Sequence, residues 1–243
     1  MALIDRNIVA YYKLDTNSTT QPDSVNSNDG TVNGDAVYTA AGKINGAYDF
    51  GGVNGFIEVP HHSTINFTNK ISVSMWINRA TTGTDWFFTK KVMPFNNGFA
   101  VQLASNDLWF YGNAASVIGS AIGFMSNDDN GNWVHFVFVY DAGIGYVSWY
   151  KNGVLVKGGI ASPVSLETTA AFKIGGWDGT YANSFDGIMD EIALFNDSLE
   201  QSDVTELYNN GDGLQYPFLL GGNGYLINSG LVHNGLFNGR LVA

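Results

Sequence analysis

Short runs of β-branched and aromatic residues, each bounded by Gly, Asn or Asp, recur along residues 7–211 with almost no helical periodicity. Ile8-Val9-Ala10-Tyr11-Tyr12-Lys13-Leu14 opens the series, and the polar stretch Asp15 to Gly30 reads as an irregular loop. Within Ile71 to Ile77, the residues Ile71, Val73, Met75 and Ile77 alternate onto one face. Trp133 to Tyr140 is apolar on both faces, the pattern of a central strand covered on both sides. Tyr146–Lys151 and Val154–Lys157 flank Asn152-Gly153, a pair that accepts the positive φ angles of a type I′ hairpin. Phe172-Lys173-Ile174-Gly175-Gly176 is a further short strand. Many short strands joined by turns predict an all-β sandwich or jelly roll.

Composition agrees. Only 14% of residues are charged, against roughly a quarter in an average domain. The 30 Gly, 16 Phe, 12 Tyr and 6 Trp suit a turn-rich sheet protein. Eleven basic against 22 acidic residues leave a net charge of −11, which repels phosphate backbones and argues against nucleic-acid binding. There are no cysteines, hence no disulfide framework and no thiolate metal site. Met1 to Asn7 lacks the basic start and apolar core of a secretory signal. No apolar run has the length needed to insert across a bilayer as a helix.

Two distant blocks stand out as partners: Ala47 to Pro60, and Phe185-Asp186-Gly187-Ile188-Met189-Asp190-Glu191-Ile192-Ala193-Leu194-Phe195-Asn196. With Ile71–Ile77 and the Asn152-Gly153 hairpin, they resemble the laminin-G-like branch of the concanavalin A-like lectin/glucanase superfamily. The resemblance covers about residues 7–211. It implies a two-sheet antiparallel jelly-roll sandwich closed by one short C-terminal helix. Ser198 is the expected N-cap of that helix, which runs from Leu199 to Tyr208 and stops at Asn209-Asn210-Gly211.

Residues 212–243 differ in kind and form a second, glycine-rich unit after the 1–211 sandwich. Leu226, Leu231, Leu236 and Leu241 recur every five residues, each followed by an apolar residue. This fits neither strand nor helix period and resembles the pentapeptide rhythm of a square β-helix. One such coil cannot bury its own apolar face. The segment therefore reads as an assembly element that docks onto a partner chain or self-associates; the alternative is a tail folded on its own sandwich.

Glucanases of the resembled superfamily carry catalytic carboxylates on one face of one strand. Here the only adjacent strand carboxylates are Asp190 and Glu191, which are expected to point to opposite faces. Glu58 stands alone, and the four histidines show no metal-ligand spacing. No nucleophile-elbow signature is present. The chain is thus expected not to be an enzyme. Regular alternation would also set Asp190 in a row with Ile188, Ile192 and Leu194, where a carboxylate needs a cation or several donors. The resemblance implies a structural Ca²⁺ there, with Asp49, Asn54 and Asp15 as further ligands; the alternative is that Asp190 caps backbone amides without metal. For sugar binding, the tryptophans Trp86, Trp109 and Trp177 lie near turns, with Asp178 and Tyr181 in the loop after Trp177. Asp85 and Asn113 are further hydrogen-bonding candidates, and core filling is the alternative role of each tryptophan.

These features lead to an expected phage virion structural protein of capsid-decoration or fibre type. It would be made in the host cytoplasm and displayed on the virion surface, with residues 212–243 contacting other virion proteins or further copies of itself. Glycan binding is compatible with that role. A free-standing extracellular carbohydrate-binding or adhesion module is the alternative, and a glycan-cleaving enzyme comes third.

Overall fold

A computed structural model describes residues 7–92, 97–112, 116–177 and 183–218. Its strands begin with β1 (Ile8–Tyr12), β2 (Thr20–Gln21), β3 (Gly30–Asn33), β4 (Val37–Thr39), β5 (Ala47–Asp49) and β6 (Phe56–Val59). They continue with β7 (Lys70–Arg79), β8 (Thr84–Val92), β9 (Asn97–Ala104), β10 (Asp107–Tyr111) and β11 (Val117–Ala121). Last come β12 (Trp133–Asp141), β13 (Tyr146–Lys151), β14 (Val154–Ile160), β15 (Phe172–Ile174) and β16 (Gly187–Phe195), before the helix α1 (Gln201–Tyr208). The described strands form two antiparallel sheets, as the sequence pattern predicts. The first runs β14-β13-β12-β7-β16-β5-β4, with β1 also paired to β16; the second runs β11-β10-β9-β8-β15-β6-β3-β2.

The block Ala47 to Pro60 crosses from one sheet to the other. Tyr48 and Asp49 pair with Met189 and Ile188 in the first sheet, while Ile57 and Val59 pair with Ile174 and Phe172 in the second. Gly51 and Gly52 make the turn between them at φ 66° and 72°, where a side chain would be strained. The Asn152-Gly153 hairpin has φ 52° and 79°, as the type I′ turn demands.

Alternation sorts the side chains. Ile71, Val73, Met75 and Ile77 of β7 are buried between the sheets with Phe136 and Phe138 of β12. Each such side chain contributes about 1.5–3 kcal/mol on burial. Val137 and Val139 face outward, where Tyr150, Phe195, Val204 and Leu207 cover them together with Leu214, Tyr216 and Phe218. Both faces of β12 are therefore shielded, which explains its apolar sequence. Residues Leu214 to Phe218 belong to this outer cluster and fasten the chain to the first sheet before the leucine repeat begins.

Two local expectations are corrected. The helix starts at Gln201 and not Leu199, and Ser198 is not its cap: its hydroxyl donates to Asp141 at 3.2 Å. Glu200 holds the N-cap position, its backbone N–H donating to Asp203 at 2.8 Å. Regular alternation also fails in β16. Its register with β7 shifts between Asp190 and Ala193, and Glu191 takes φ 51°. One extra residue in a strand re-aims everything around it. Met189, Ile192 and Leu194 face the core, whereas Asp190 pairs with outward-facing Trp76 and Glu191 reaches the hydroxyl of outward-facing Tyr11. Asp190 is thus not in the row of Ile192 and Leu194, and the two carboxylates share the outer side of the sheet.

Candidate functional site

The outer face of the second sheet carries a continuous cross-strand row. Tyr111 pairs with Ala100, Ala100 with Thr89, Thr89 with Lys173, Lys173 with Glu58, and Glu58 with Thr31. Their neighbours along each strand, Phe110, Val101, Phe88, Ile174 and Ile57, point into the core, so the row lies on the outer face, where Ala100 and Thr89 are covered and Tyr111, Lys173 and Glu58 stay partly exposed. A second outer row runs Trp109, Gln102, Trp86 across β10, β9 and β8.

Trp86 and Trp177 meet in this face with ring centroids 4.1 Å apart, and Trp86 lies 5.8 Å from Tyr111. A parallel bridge pairs Trp86 of β8 with Ser184. Beside the indoles is a cleft of about 240 Å³, lined by Trp177, Thr89, Lys91, Lys173 and Glu58 over Ala170 and Ala171. Lys173 ion-pairs with Glu58 at 3.4 Å and lies 5.0 Å over the Phe56 ring. Lys91 donates to the Gly112 carbonyl, and the Thr89 hydroxyl donates to the Gly176 carbonyl at 3.1 Å. Tyr111 donates to Gln102 at 3.0 Å. Behind the cleft, fully buried Lys90 donates to the Ala170 carbonyl at 2.6 Å and meets His61 Nδ1 at 3.3 Å. Burial pulls Lys90 down to about 8 and also lowers Lys91.

Of the sequence-predicted sugar contacts, Trp86 and Trp177 come together and Trp109 shares their face two strands away. Asp85 does not join them. It is 2% exposed and accepts from the Asp186 amide at 3.2 Å, and burial raises it to about 6. Asn113, Asp178 and Tyr181 lie outside the described residues, as do Leu226, Leu231, Leu236 and Leu241. Sequence reasoning missed Thr89, Lys91, Lys173 and Glu58. The signal that could have found them is the Lys90-Lys91 pair in a chain so poor in cations.

The proposed calcium ligands occupy separate settings. Asp190 accepts from the amides of Ile44 at 3.0 Å and Glu191 at 2.8 Å. Asp49 accepts from the Gly51 amide at 3.0 Å within its own turn, and Asn54 accepts from the Asp35 amide at 2.9 Å, in the β3–β4 connection. Asp15 accepts from the Gly46 amide at 3.1 Å and from Gln215 at 2.9 Å. Among the described residues no cluster of three or more metal-ligating side chains forms. The two N–H donors at Asp190 are the contacts that the amide-capping alternative describes.

A second chemical pair is closed to substrate. Ser74 Oγ lies 2.9 Å from His135 Nε2, but both are buried beneath Trp76 and Tyr208, whose rings lie 5.0 Å and 5.9 Å from the imidazole. Burial pushes His135 down to about 3, a value unsuited to a general base near neutrality.

The profile of the concanavalin A-like lectin/glucanases superfamily matches residues 50–205. No curated protein matches the chain. Among solved structures, domain 4 of AbnA, an extracellular GH43 arabinanase of Geobacillus stearothermophilus in complex with arabinotriose, is 25% identical. It superposes with a TM-score of 0.66 over 82% of this chain and 97% of its own. The binding domain of Paraclostridial Mosquitocidal Protein 1 is 15% identical, with a TM-score of 0.68 over 86% of this chain and 53% of its own. The ligand binding domain of Botulinum neurotoxin serotype D, in complex with N-acetylneuraminic acid, is 14% identical. Its TM-score is 0.66 over 85% of this chain and 51% of its own. This chain spans about half of those two toxin domains, and at such identities they show the fold.

Proposed function

Because the chain belongs to the concanavalin A-like lectin/glucanase superfamily, we propose that it is a non-catalytic glycan-binding module, carried on a phage particle through its C-terminal segment. The observation that carries the binding reading is the Trp86–Trp177 pair beside a polar cleft on an otherwise regular sheet face. Indole faces suit the apolar side of a sugar ring, and hydroxyl, amide and ammonium groups suit its oxygens. Domain 4 of AbnA was solved with arabinotriose, which supports saccharide binding by this kind of domain. Hydrolysis needs two carboxylates flanking the scissile bond. Among the described residues the cleft has one, Glu58, already paired with Lys173.

The anchoring part of the proposal is supported by the five-residue leucine period and by the outer cluster that ties down Phe218, from which the repeat departs. Screening the full chain on a glycan array, followed by calorimetric titration of hits, tests the binding. Trp177→Ala should weaken a hit at least tenfold; unchanged affinity would remove this face from the reading. Light scattering of the full chain beside a form ending at Phe218 tests the anchor. Self-association lost with the tail supports it, and equal monomeric masses exclude self-assembly through the tail.

A further inference from the structure

Basic residues are scarce in this chain, 11 against 22 acidic, yet Lys90, Lys91 and Lys173 gather at one cleft whose lining includes a single carboxylate among the described residues. Lys173 is the direct partner of Thr89, and Lys91 follows two residues later on the same face of β8. The two lysines are therefore diagonal neighbours, about 7–8 Å apart at the backbone. That separation lets two flexible ammonium groups converge on one anion. A neutral sugar would give no return for this concentration of charge. Lys90 adds a fully buried cation that meets the Ala170 carbonyl and His61, neither of which carries negative charge.

Resting on the glycan-binding reading, we propose that the cleft between Trp177, Lys91 and Lys173 selects acidic saccharides, sugars that carry a carboxylate or sulfate. The ionised group lies between the two ammonium groups once Lys91 leaves the Gly112 carbonyl and Lys173 leaves Glu58, and its ring meets the edge of Trp177, which is 7% exposed. Glu58 is the counter-ion that Lys173 keeps when the cleft is empty of ligand, and it sets an opposing charge that the saccharide must displace from the lysine. Against a background of −11, such a site also excludes neutral competitors by preference and not by shape alone. Charge-assisted hydrogen bonds of this kind are worth about twice a neutral one.

The test uses the full chain and pairs of ligands matched in size but not in charge: trigalacturonate against galactotriose, and 3′-sialyllactose against its sialic acid methyl ester, with a heparin disaccharide as the sulfated arm. Quenching of tryptophan emission reads binding. At least one acidic ligand should bind about tenfold more tightly than its neutral partner, with the preference shrinking as salt rises. Lys91→Gln and Lys173→Gln should each bring that ratio towards one. Glu58→Gln should tighten acidic ligands a few-fold, a gain that misfolding cannot produce. Equal binding of acidic and neutral members overturns the proposal and leaves glycan binding standing. Polyglutamate binding as tightly as the acidic sugars also overturns it, since the cleft would then be a general anion patch. If no saccharide of either kind binds, glycan binding itself fails and this proposal with it.

Discussion

Replacing Glu191 by Gln perturbs the buried carboxylate pair at a single titrating atom set. Glu191 is 3% exposed and Asp190 0%. Burial first, and then the Glu191 charge, raises Asp190 to about 8. Burial likewise raises Glu191 to about 7, against hydrogen bonds from Tyr11 and Gln215 that pull it down. Because the folded value stands above the ordinary 4.5, the stabilising contribution of Glu191 is fully present below that pH and is lost as pH rises through 7. Across that window the folded chain holds a proton that the unfolded chain has released. The slope is about 1.4 kcal/mol per pH unit, or roughly 3 kcal/mol over the whole window. Gln at 191 keeps an oxygen for the Tyr11 hydroxyl, while Gln215 must give up its bond to Asp15 if it turns its amide to accept from the new NH₂ group, a cost to the variant that does not follow the titration of residue 191. Urea unfolding of both proteins between about pH 4.5 and 8 should show wild type losing at least roughly 3 kcal/mol more than Glu191→Gln, because the variant also removes the charge that helps raise Asp190. Asp85, raised by burial, and His135, lowered by it, titrate in both proteins and cancel in the difference. Parallel stability curves would refute the reasoning.

Arg79 is fully buried and donates to Asn130, Ser105, Asn106 and Ser126, so Arg79→Met strands four acceptors across two loops. It should cost about 3–5 kcal/mol by denaturant unfolding. Phe218, 5.5 Å from the Tyr11 ring, seals the outer cluster, and Phe218→Ala should cost about 3 kcal/mol with proteolysis first cutting beyond residue 211. Lys90 is held below its ordinary 10.5 by burial, so a variant Lys90→Met should remove a rise in stability that wild type shows between about pH 8 and 10.5. Thermal melts across that range check it.

The fold was legible wherever a local rule governs the chain. Ile71 to Ile77 alternates as written, and Asn152-Gly153 turns as its residue types require. The pairing of the 47–60 and 185–196 blocks also appears, through Tyr48 and Met189. What escaped was the bulge at Glu191, since a count of two per repeat assumes a regular pleat, and nothing in Met189-Asp190-Glu191-Ile192 announces a left-handed φ in a residue other than glycine. The helix start escaped because Ser198 and Glu200 are both acceptable caps locally, and tertiary contact with Asp141 takes the serine away. The site was legible by residue type at Trp86 and Trp177 but not by grouping. Glu58, Thr89 and Lys173 become neighbours only through the register of β6, β15 and β8, strands of which β6 and β15 lie more than a hundred residues apart in sequence.

The central claim is that saccharide is held on the outer face of the second sheet. The most direct test follows the indole N–H resonances of the full chain by NMR as a glycan-array hit is titrated in. Trp86 and Trp177 should shift in a saturable way, while Trp149 in the core and Trp76 on the opposite sheet stay fixed. Shifts at Trp76 with Trp86 and Trp177 unmoved would place the sugar elsewhere and contradict the account.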